Sequence, residues 1–145
     1  MGYPGVASPQ IPRFLLMCFI FIIACANFTS AAVDTKKLHT ICSGKLYPEP
    51  GNIYGTGVED AISNVISNTA KAAYHEYYLK ESLGASGFIY AHGQCTETLT
   101  EDDCHDCLHE ARHQMFDECT HSVGAQTQLM DCRLRYEDYA FNNEG

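Results

Sequence analysis

The sequence has little positive charge. Its 145 residues contain nine Lys and Arg against eighteen Asp and Glu, which gives a formal net charge of −9 at pH 7. Proteins that bind nucleic acid neutralise its phosphates with Lys and Arg. The acidic composition therefore argues against nucleic acid as a partner, and equally against electrostatic attraction to an anionic membrane.

The sequence also lacks a second long apolar run. The run that is present, Phe14–Ala26, carries no charge, follows Arg13 and precedes several small residues. It is shorter than the about 20 apolar residues that a membrane-spanning helix needs. The order basic, apolar, small is that of a secretory signal peptide. We predict a signal peptide over residues 1–32 and one secreted domain over residues 33–145, with no membrane anchor.

Two cleavage sites fit this signal peptide. Ala24-Cys25-Ala26 matches the A-x-A pattern, and Ser30-Ala31-Ala32 matches it less strictly. The choice decides the fate of the N-glycosylation sequon at Asn27, which only the earlier cut, after residue 26, retains. After the later cut about 113 residues remain, with 8 basic and 18 acidic side chains and a net charge of −10. That length suits one domain with a modest core.

Either cut removes Cys18 and Cys25 and leaves six cysteines. They are Cys42, Cys95, Cys104, Cys107, Cys119 and Cys132. A C-x2-C beside histidine raises the question of zinc, but zinc needs four ligands in closed geometry and no second pair completes a site at the usual spacing. A catalytic cysteine would need a free thiolate and a base. An even cysteine count in an exported chain instead predicts three disulfide bonds and no metal.

The spacing does not fix which cysteines are paired. Cys104 and Cys107 share one face of a predicted helix, so each is expected to bond a different partner. Six cysteines allow 15 connectivities, and the sequence pattern alone leaves them open.

Hydrophobic periodicity predicts an α+β fold. An opening strand over about residues 33–46 is followed by a loop rich in Pro and Gly, Y-P-E-P-G-N-I-Y-G-T-G. Strands are also predicted over F-I-Y-A-H-G-Q-C and in the alternating segment after Val123, in which a turn or bulge falls near Met130-Asp131. Two helices and about five strands, with hairpin-like neighbours late in the chain, indicate an antiparallel sheet.

Both helices are predicted from apolar residues that recur every three or four positions. The first helix carries Val58, Ile62, Val65, Ile66, Thr69, Ala73 and Tyr74 on one face. The second has Thr100 as a cap with Asp103 three residues on, and is expected to end near Cys119. Its apolar stripe contains Cys104, Cys107, Leu108, Ala111, Met115 and Phe116.

The cysteine motif resembles that of a known plant family. The C-x8-C-x2-C run, C-T-E-T-L-T-E-D-D-C-H-D-C, is similar to the signature of the cysteine-rich secretory repeat, the ginkbilobin-like or DUF26 domain. The segments I-C-S-G, I-Y-A-H-G-Q-C, V-G-A-Q-T-Q-L-M-D-C and R-Y-E-D-Y-A-F agree in order, from about residue 33 to 141. The resemblance implies two helices packed on a five-stranded antiparallel sheet. It also implies the disulfide pairs Cys42–Cys119, Cys95–Cys104 and Cys107–Cys132.

The same resemblance implies a function. Single-domain members of the family are secreted antifungal lectins that bind mannose through an Asn after the first cysteine, an Arg in a G-A-R segment and a Glu in a Y-E segment. By position these sites are Ser43, Gln126 and Glu137 in this sequence, and only the Glu matches. Losing two polar contacts costs about 1–3 kcal/mol, so we expect mannose binding to be weak, altered or absent. The alternative is a secreted protein-interaction module that has lost the sugar site.

Other functional classes have less support. His105, His109 and His113 recur every fourth residue on the second helix and could chelate copper or zinc, but an acid-rich, solvent-facing helix face is the simpler interpretation. No Ser-His-Asp set, phosphate loop or carboxylate pair stands out, so we predict no enzyme activity and no cofactor. The expected partner is a carbohydrate, mannose or a cell-wall glycan, or an extracellular protein in the apoplast.

Overall fold

The structure is a computed structural model that describes residues 32–48 and 53–142. The Asn27 sequon and almost all of the predicted signal peptide lie outside the described residues, so the cleavage site and the boundary of the domain stay predictions. Within the described ranges, no helix is long and apolar enough to cross a membrane.

Two helices and five strands form within the described ranges. In chain order they are β1 (Lys37–Cys42), α1 (Ile53–Lys71), β2 (Glu76–Ser82), β3 (Phe88–Cys95), α2 (Glu101–Glu118), β4 (Ala125–Leu129) and β5 (Cys132–Glu137). The strands make one sheet in the order β1-β4-β5-β3-β2, and every neighbouring pair is antiparallel. The predicted fold class, two helices with a five-stranded antiparallel sheet and three disulfide bonds, is confirmed.

Helix α1 begins earlier than its sequence predicts. Ile53–Gly57 was expected to be loop because of its glycines, yet it forms the first turn and a half of the helix. Gly57 is buried, and a Cβ there would lie 2.5 Å from Leu83 Cδ2 and 3.3 Å from Ile89 Cδ1. The glycine therefore lets this end of the helix approach the sheet, and tertiary packing offsets its poor helix propensity.

The other end of α1 also differs from the prediction. Ala73 and Tyr74 were expected to continue its apolar face, but the helix ends at Lys71 and both side chains are exposed. Tyr74 has φ 63° and ψ 14°, in the left-handed region, and is 75% exposed. The chain reverses here into β2, a segment whose sequence pattern did not predict a strand.

Helix α2 follows its predicted limits. Thr100 Oγ1 accepts a hydrogen bond of 3.1 Å from the Asp103 backbone N–H, and the helix ends at Glu118 with Cys119 as its C-cap. The predicted stripe is buried except for Phe116, which is partly buried against the core. Three acidic residues in the first turn suit the positive end of the helix dipole.

One face of the sheet packs on both helices, and the other is polar. The inward residues of β5 are Cys132, Leu134 and Tyr136, each no more than 2% exposed. Residues of the opposite parity, such as Arg133 and Arg135, point away from the helices. Both cavities described below lie on this outer face.

Three disulfide bonds fasten the sheet to α2. They join Cys42 to Cys119, Cys95 to Cys104 and Cys107 to Cys132, the pairs that the family resemblance implies. The first closes a separation of 77 residues, for which chain-entropy arguments give about 4.5 kcal/mol. Of the six cysteines in the described ranges, Cys42 is exposed and the other five are buried.

Candidate ligand-binding site

Ser43 is held beside β4 by the segment that follows β1. The Ser43 N–H donates to the Gly124 carbonyl at 2.7 Å, and the Val123 N–H donates to the Lys45 carbonyl at 2.9 Å. An isolated bridge joins Leu46 to Ser122. These bonds extend the pairing of β1 and β4 past their ends, so the residue after the first cysteine lies next to the start of β4.

Two tyrosine hydroxyls donate hydrogen bonds to the backbone just before β4. Tyr54 of α1 donates its hydroxyl to the Val123 carbonyl at 2.6 Å, and Tyr136 of β5 donates to the Ser122 carbonyl at 2.8 Å. Burial raises the pKa of both phenols well above its usual value, with a further contribution from nearby acidic groups that include Glu137. Both hydroxyls therefore stay protonated and remain donors throughout the physiological pH range.

The carboxylate of Glu137 packs against the Cα of Gly124. A Cβ at Gly124 would overlap Glu137 Oε2 and lie 2.9 Å from Glu137 Cδ, so only glycine leaves room for the carboxylate. The other carboxylate oxygen, Oε1, accepts a hydrogen bond of 3.0 Å from Arg135 Nε. Burial raises the pKa of the Glu137 carboxyl above its usual value, and the hydrogen bond and charge of Arg135 partly oppose that shift.

The three residues implied by the family resemblance line a single cavity. This cavity has a volume of about 260 Å³, and we call it the Ser43 cavity. Besides Ser43, Gln126 and Glu137, its lining includes Arg135 and Tyr139. Hydroxyl, amide, carboxylate and guanidinium groups thus converge on one space, and together they can both donate to and accept from neighbouring hydroxyl groups.

Arg135 also lines this cavity, although it was not predicted as a site residue from the sequence. It lies directly opposite Gln126 in the β4–β5 pairing, and both side chains project from the outer face. The position where the family pattern has arginine carries an amide here, while a guanidinium stands on the neighbouring strand. A two-residue turn at Met130-Asp131 pairs position 126 with position 135. Counting residues across such a turn would have predicted that Arg135 lies beside Gln126.

The histidine stripe lies elsewhere, on the exposed side of α2. The rings of His105 and His109 have centroids 6.2 Å apart, and His113 Nδ1 lies 3.3 Å from Asp117 Oδ2. All of these side chains are exposed to solvent. Within the described residues, no group of three or more His, Cys, Asp or Glu side chains is arranged to hold a metal ion.

Comparison with known proteins places the chain in a family. Residues 41–139 match the family Stress-antifung, described as salt stress response/antifungal. The chain belongs to this family. It is 29% identical over 114 residues to the antifungal protein ginkbilobin-like protein 1 of Picea sitchensis, which covers 79% of this chain and 78% of that relative. It is 25% identical over 126 residues to the antifungal protein ginkbilobin-2 of Ginkgo biloba, covering 87% and 92%.

A solved structure shares the fold. The tandem DUF26 ectodomain of the cysteine-rich receptor-like protein PDLP8 from Arabidopsis thaliana matches with a TM-score of 0.68 at 24% identity, over 76% of this chain. The match covers 52% of that protein's chain, so this chain spans about half of the tandem ectodomain. The ginkbilobin-like, or DUF26, resemblance drawn from the cysteine motif is confirmed.

Proposed function

We propose that this protein is a secreted, non-enzymatic carbohydrate-binding protein with antifungal action, and that a mannose-type sugar binds in the Ser43 cavity. Two observations support the proposal: the relatives are named antifungal proteins, and Ser43, Gln126 and Glu137 line one cavity. Neither a cofactor nor a metal is part of the proposal.

The position of Arg135 is the observation that carries the proposal furthest. A carboxylate and a guanidinium, each with two oxygens or several N–H groups in a fixed plane, suit the paired hydroxyls of a sugar ring. Glu137 holds the Arg135 side chain in place through their 3.0 Å hydrogen bond. Under this proposal, the carboxylate and guanidinium that the family resemblance implies are both present in the cavity, with the guanidinium on β5 instead of β4.

Serine at position 43, where the family pattern has asparagine, is expected to weaken binding. Ser43 presents a single hydroxyl, which already accepts a hydrogen bond of 3.3 Å from the Lys45 N–H. An asparagine at this position would offer an amide with both a donor and an acceptor. Losing about one hydrogen bond to the ligand, at roughly 0.5–1.5 kcal/mol, corresponds to an affinity several-fold lower than that of a site with asparagine.

Titration with mannose and with a mannan oligosaccharide tests the proposal. We expect Arg135→Gln to reduce the affinity at least about ten-fold, because the ligand loses charge-assisted hydrogen bonds. Lys71→Gln makes the same change of charge at the exposed end of α1 and should bind like the wild type. Ser43→Asn is expected to bind several-fold more tightly. A folded wild-type protein that binds neither sugar, or an Arg135→Gln variant with wild-type affinity, would contradict the proposal.

The site also predicts the effect of restoring the family's arginine at position 126. Gln126→Arg would put a second guanidinium directly opposite Arg135, and two like charges across a strand pair are unfavourable. We therefore expect Gln126→Arg combined with Arg135→Gln to bind mannose better than Gln126→Arg alone. Equal affinities for the two variants would mean that these side chains do not share one ligand.

The second candidate function is a secreted protein-interaction module. Apolar side chains are exposed along β1 and just after it, with Leu38 and Ile41 each 53% exposed and Leu46 64% exposed. The solved relative is a tandem ectodomain of a receptor-like protein, in which one such domain is joined to another. A glycan array and a fungal growth assay separate the two functions, because an interaction module would bind no glycan and inhibit no growth.

Secretion to the apoplast completes the proposal, and it is tested separately. N-terminal sequencing of the protein recovered from extracellular fluid should find a start after Ala26 or Ala32. A start after Ala26 with mass added at Asn27 would mean that the sequon is used.

A further inference from the structure

A second cavity lies on the outer face of the sheet, next to the first. Its volume is about 150 Å³, and we call it the Phe141 cavity. Its lining includes the polar and aromatic residues His39, His92, Gln128, Arg133, Phe141 and Asn142, together with Gln126 and Arg135, which also line the Ser43 cavity. The two cavities are therefore neighbours that share two side chains.

Strand register explains why these side chains converge. Gln128 is opposite His39 on β1 and opposite Arg133 on β5, so these three residues form one row across the sheet. His92 on β3 is opposite Arg135 on β5, which continues the adjacent row. Both rows belong to the outer face, and four strands contribute to one small space.

The charge of this cavity is opposite to that of the chain. Among the described residues that line it, Arg133 and Arg135 are cationic and none is acidic, although the whole chain carries twice as many acidic as basic side chains. Glu76, which is not part of this lining, accepts a hydrogen bond from His92 at 2.9 Å. Glu137 accepts a hydrogen bond of 3.0 Å from Arg135 and offsets part of its charge. A lining with two guanidinium groups and no carboxylate nevertheless favours an anion over a neutral or cationic ligand.

The remaining lining suits a sugar ring. Phe141 forms an apolar wall: the Arg135 guanidinium lies 4.0 Å from its ring centroid, and the Tyr78 ring packs against it at 5.5 Å. Side-chain amides such as Gln128 can pair with ring hydroxyls, and arginine binds a carboxylate through two parallel N–H···O bonds. The cavity is smaller than the about 300–1,000 Å³ typical of drug-sized ligands, which suits a single sugar unit.

We propose that the Phe141 cavity binds a carboxylate-bearing sugar, a hexuronate, with Arg133 as its carboxylate partner. Since Gln126 and Arg135 line both cavities, an acidic oligosaccharide can place a uronate unit here and its neighbouring unit in the Ser43 cavity. That extension to two adjacent units rests on the proposed function, whereas the uronate site itself does not.

Matched sugars test the carboxylate directly. Glucuronate and glucose, and galacturonate and galactose, differ at C6 by a carboxylate in place of CH2OH. In titrations of the full chain at low salt, we expect each uronate to bind at least about ten-fold more tightly than its neutral counterpart, and this preference to shrink as salt screens the charge. Equal binding within each pair would overturn the proposal.

Two variants locate the site. Arg133→Gln should lower uronate affinity about ten-fold and leave mannose titration unchanged, while Lys71→Gln, with the same loss of charge, should keep uronate binding. Phe141→Ala removes the apolar wall without touching the core and should also weaken uronate binding. Uronate binding that survives both substitutions would refute this assignment.

Inorganic phosphate distinguishes a sugar site from a general anion site. We expect phosphate to compete with a uronate only at concentrations well above the uronate dissociation constant, because it makes no use of the amides or of Phe141. Phosphate that displaces uronate at equal concentration would overturn the sugar assignment. Failure of mannose to bind while uronate binds would refute the proposed function and leave this inference standing.

Discussion

Gly124 offers the sharpest test of how the Ser43 cavity is built. Gly124→Ala places a Cβ where Glu137 Oε2 lies, 2.9 Å from Glu137 Cδ and 3.3 Å from the Tyr136 carbonyl oxygen. The glutamate must rotate away and lose its bond to Arg135. Such a charge-assisted bond contributes about 1.5–3 kcal/mol when buried, and the side chains of Arg135 and Glu137 are 28% and 12% exposed, which favours the lower value.

We therefore expect Gly124→Ala to lower the free energy of unfolding by about 2 kcal/mol once some overpacking is included. For a domain of this size that is a fall in Tm of about 10 °C. Mannose affinity should fall with it, because the carboxylate leaves the cavity. Urea unfolding and thermal melts measure the first effect, and calorimetric titration the second.

A double-mutant cycle decides whether the collision is the cause. In a Glu137→Ala background the carboxylate is absent, so Gly124→Ala should cost little further stability. Gly44→Ala is the matched control, since a Cβ at Gly44 meets nothing within 4 Å and should leave stability unchanged. A Gly124→Ala variant as stable as the wild type would refute this explanation. The same is true if Gly124→Ala lowers the free energy of unfolding equally with and without Glu137.

Three further predictions concern single residues. Because burial raises the pKa of the Glu137 carboxyl above its usual value, this carboxylate becomes protonated at a higher pH than usual as the solution is acidified. Mannose titrations at a series of pH values should show the affinity falling in that range, and Glu137→Gln should show no such step. Thr69 is fully buried and its Oγ1 makes no hydrogen bond within the described residues, so Thr69→Val should raise unfolding free energy by about 1 kcal/mol in urea, whereas Thr69→Ser should lower it. Tyr74 is exposed in the left-handed region, which asparagine tolerates better, so Tyr74→Asn should raise Tm, with a gain of about 0.5–1 kcal/mol; an unchanged or lower Tm would mean that the backbone there is not strained.

The parts of the fold that were predictable depend on local signals. Helix α2 has a capping threonine, acidic residues after it and an apolar stripe, so its limits could be read from neighbouring residues alone. The β4–β5 hairpin was predictable in the same way, from two alternating segments around Met130-Asp131.

The parts that were missed depend on distant contacts. The start of α1 contains glycines that normally indicate a loop, and it becomes helical because Gly57 fits against Leu83, 26 positions away. Strand β2 contains two adjacent tyrosines directly after Glu76. Tyr77 is partly buried on the helix side, and Tyr78 lies on the outer face. Their shared apolar character hides the alternation that would have marked a strand.

The same distinction applies to the candidate site. Ser43, Gln126 and Glu137 could be chosen only from a family pattern, because 94 positions separate the first from the last. Arg135 and the Phe141 cavity follow from which residues oppose one another across the sheet. The alternating segments indicate a turn or bulge near Met130-Asp131, but only the structure shows which residues pair across it.

The exposure of Cys42 has a consequence for how the protein responds to its surroundings. A dissolved reductant meets the Cys42–Cys119 bond first, because the other two disulfide bonds join buried sulfurs. Strand β1 lies at the edge of the sheet and is itself mostly exposed, so opening that bond would loosen Ser43 while α2 stays bonded to β3 and β5 through the other two disulfides. We expect mild thiol treatment to abolish sugar binding before circular dichroism shows any unfolding. Simultaneous loss of sugar binding and of folded structure would disprove this prediction. If the proposed sugar binding depends on this bond, the protein would bind its ligand in an oxidising extracellular environment and release it where thiols are abundant.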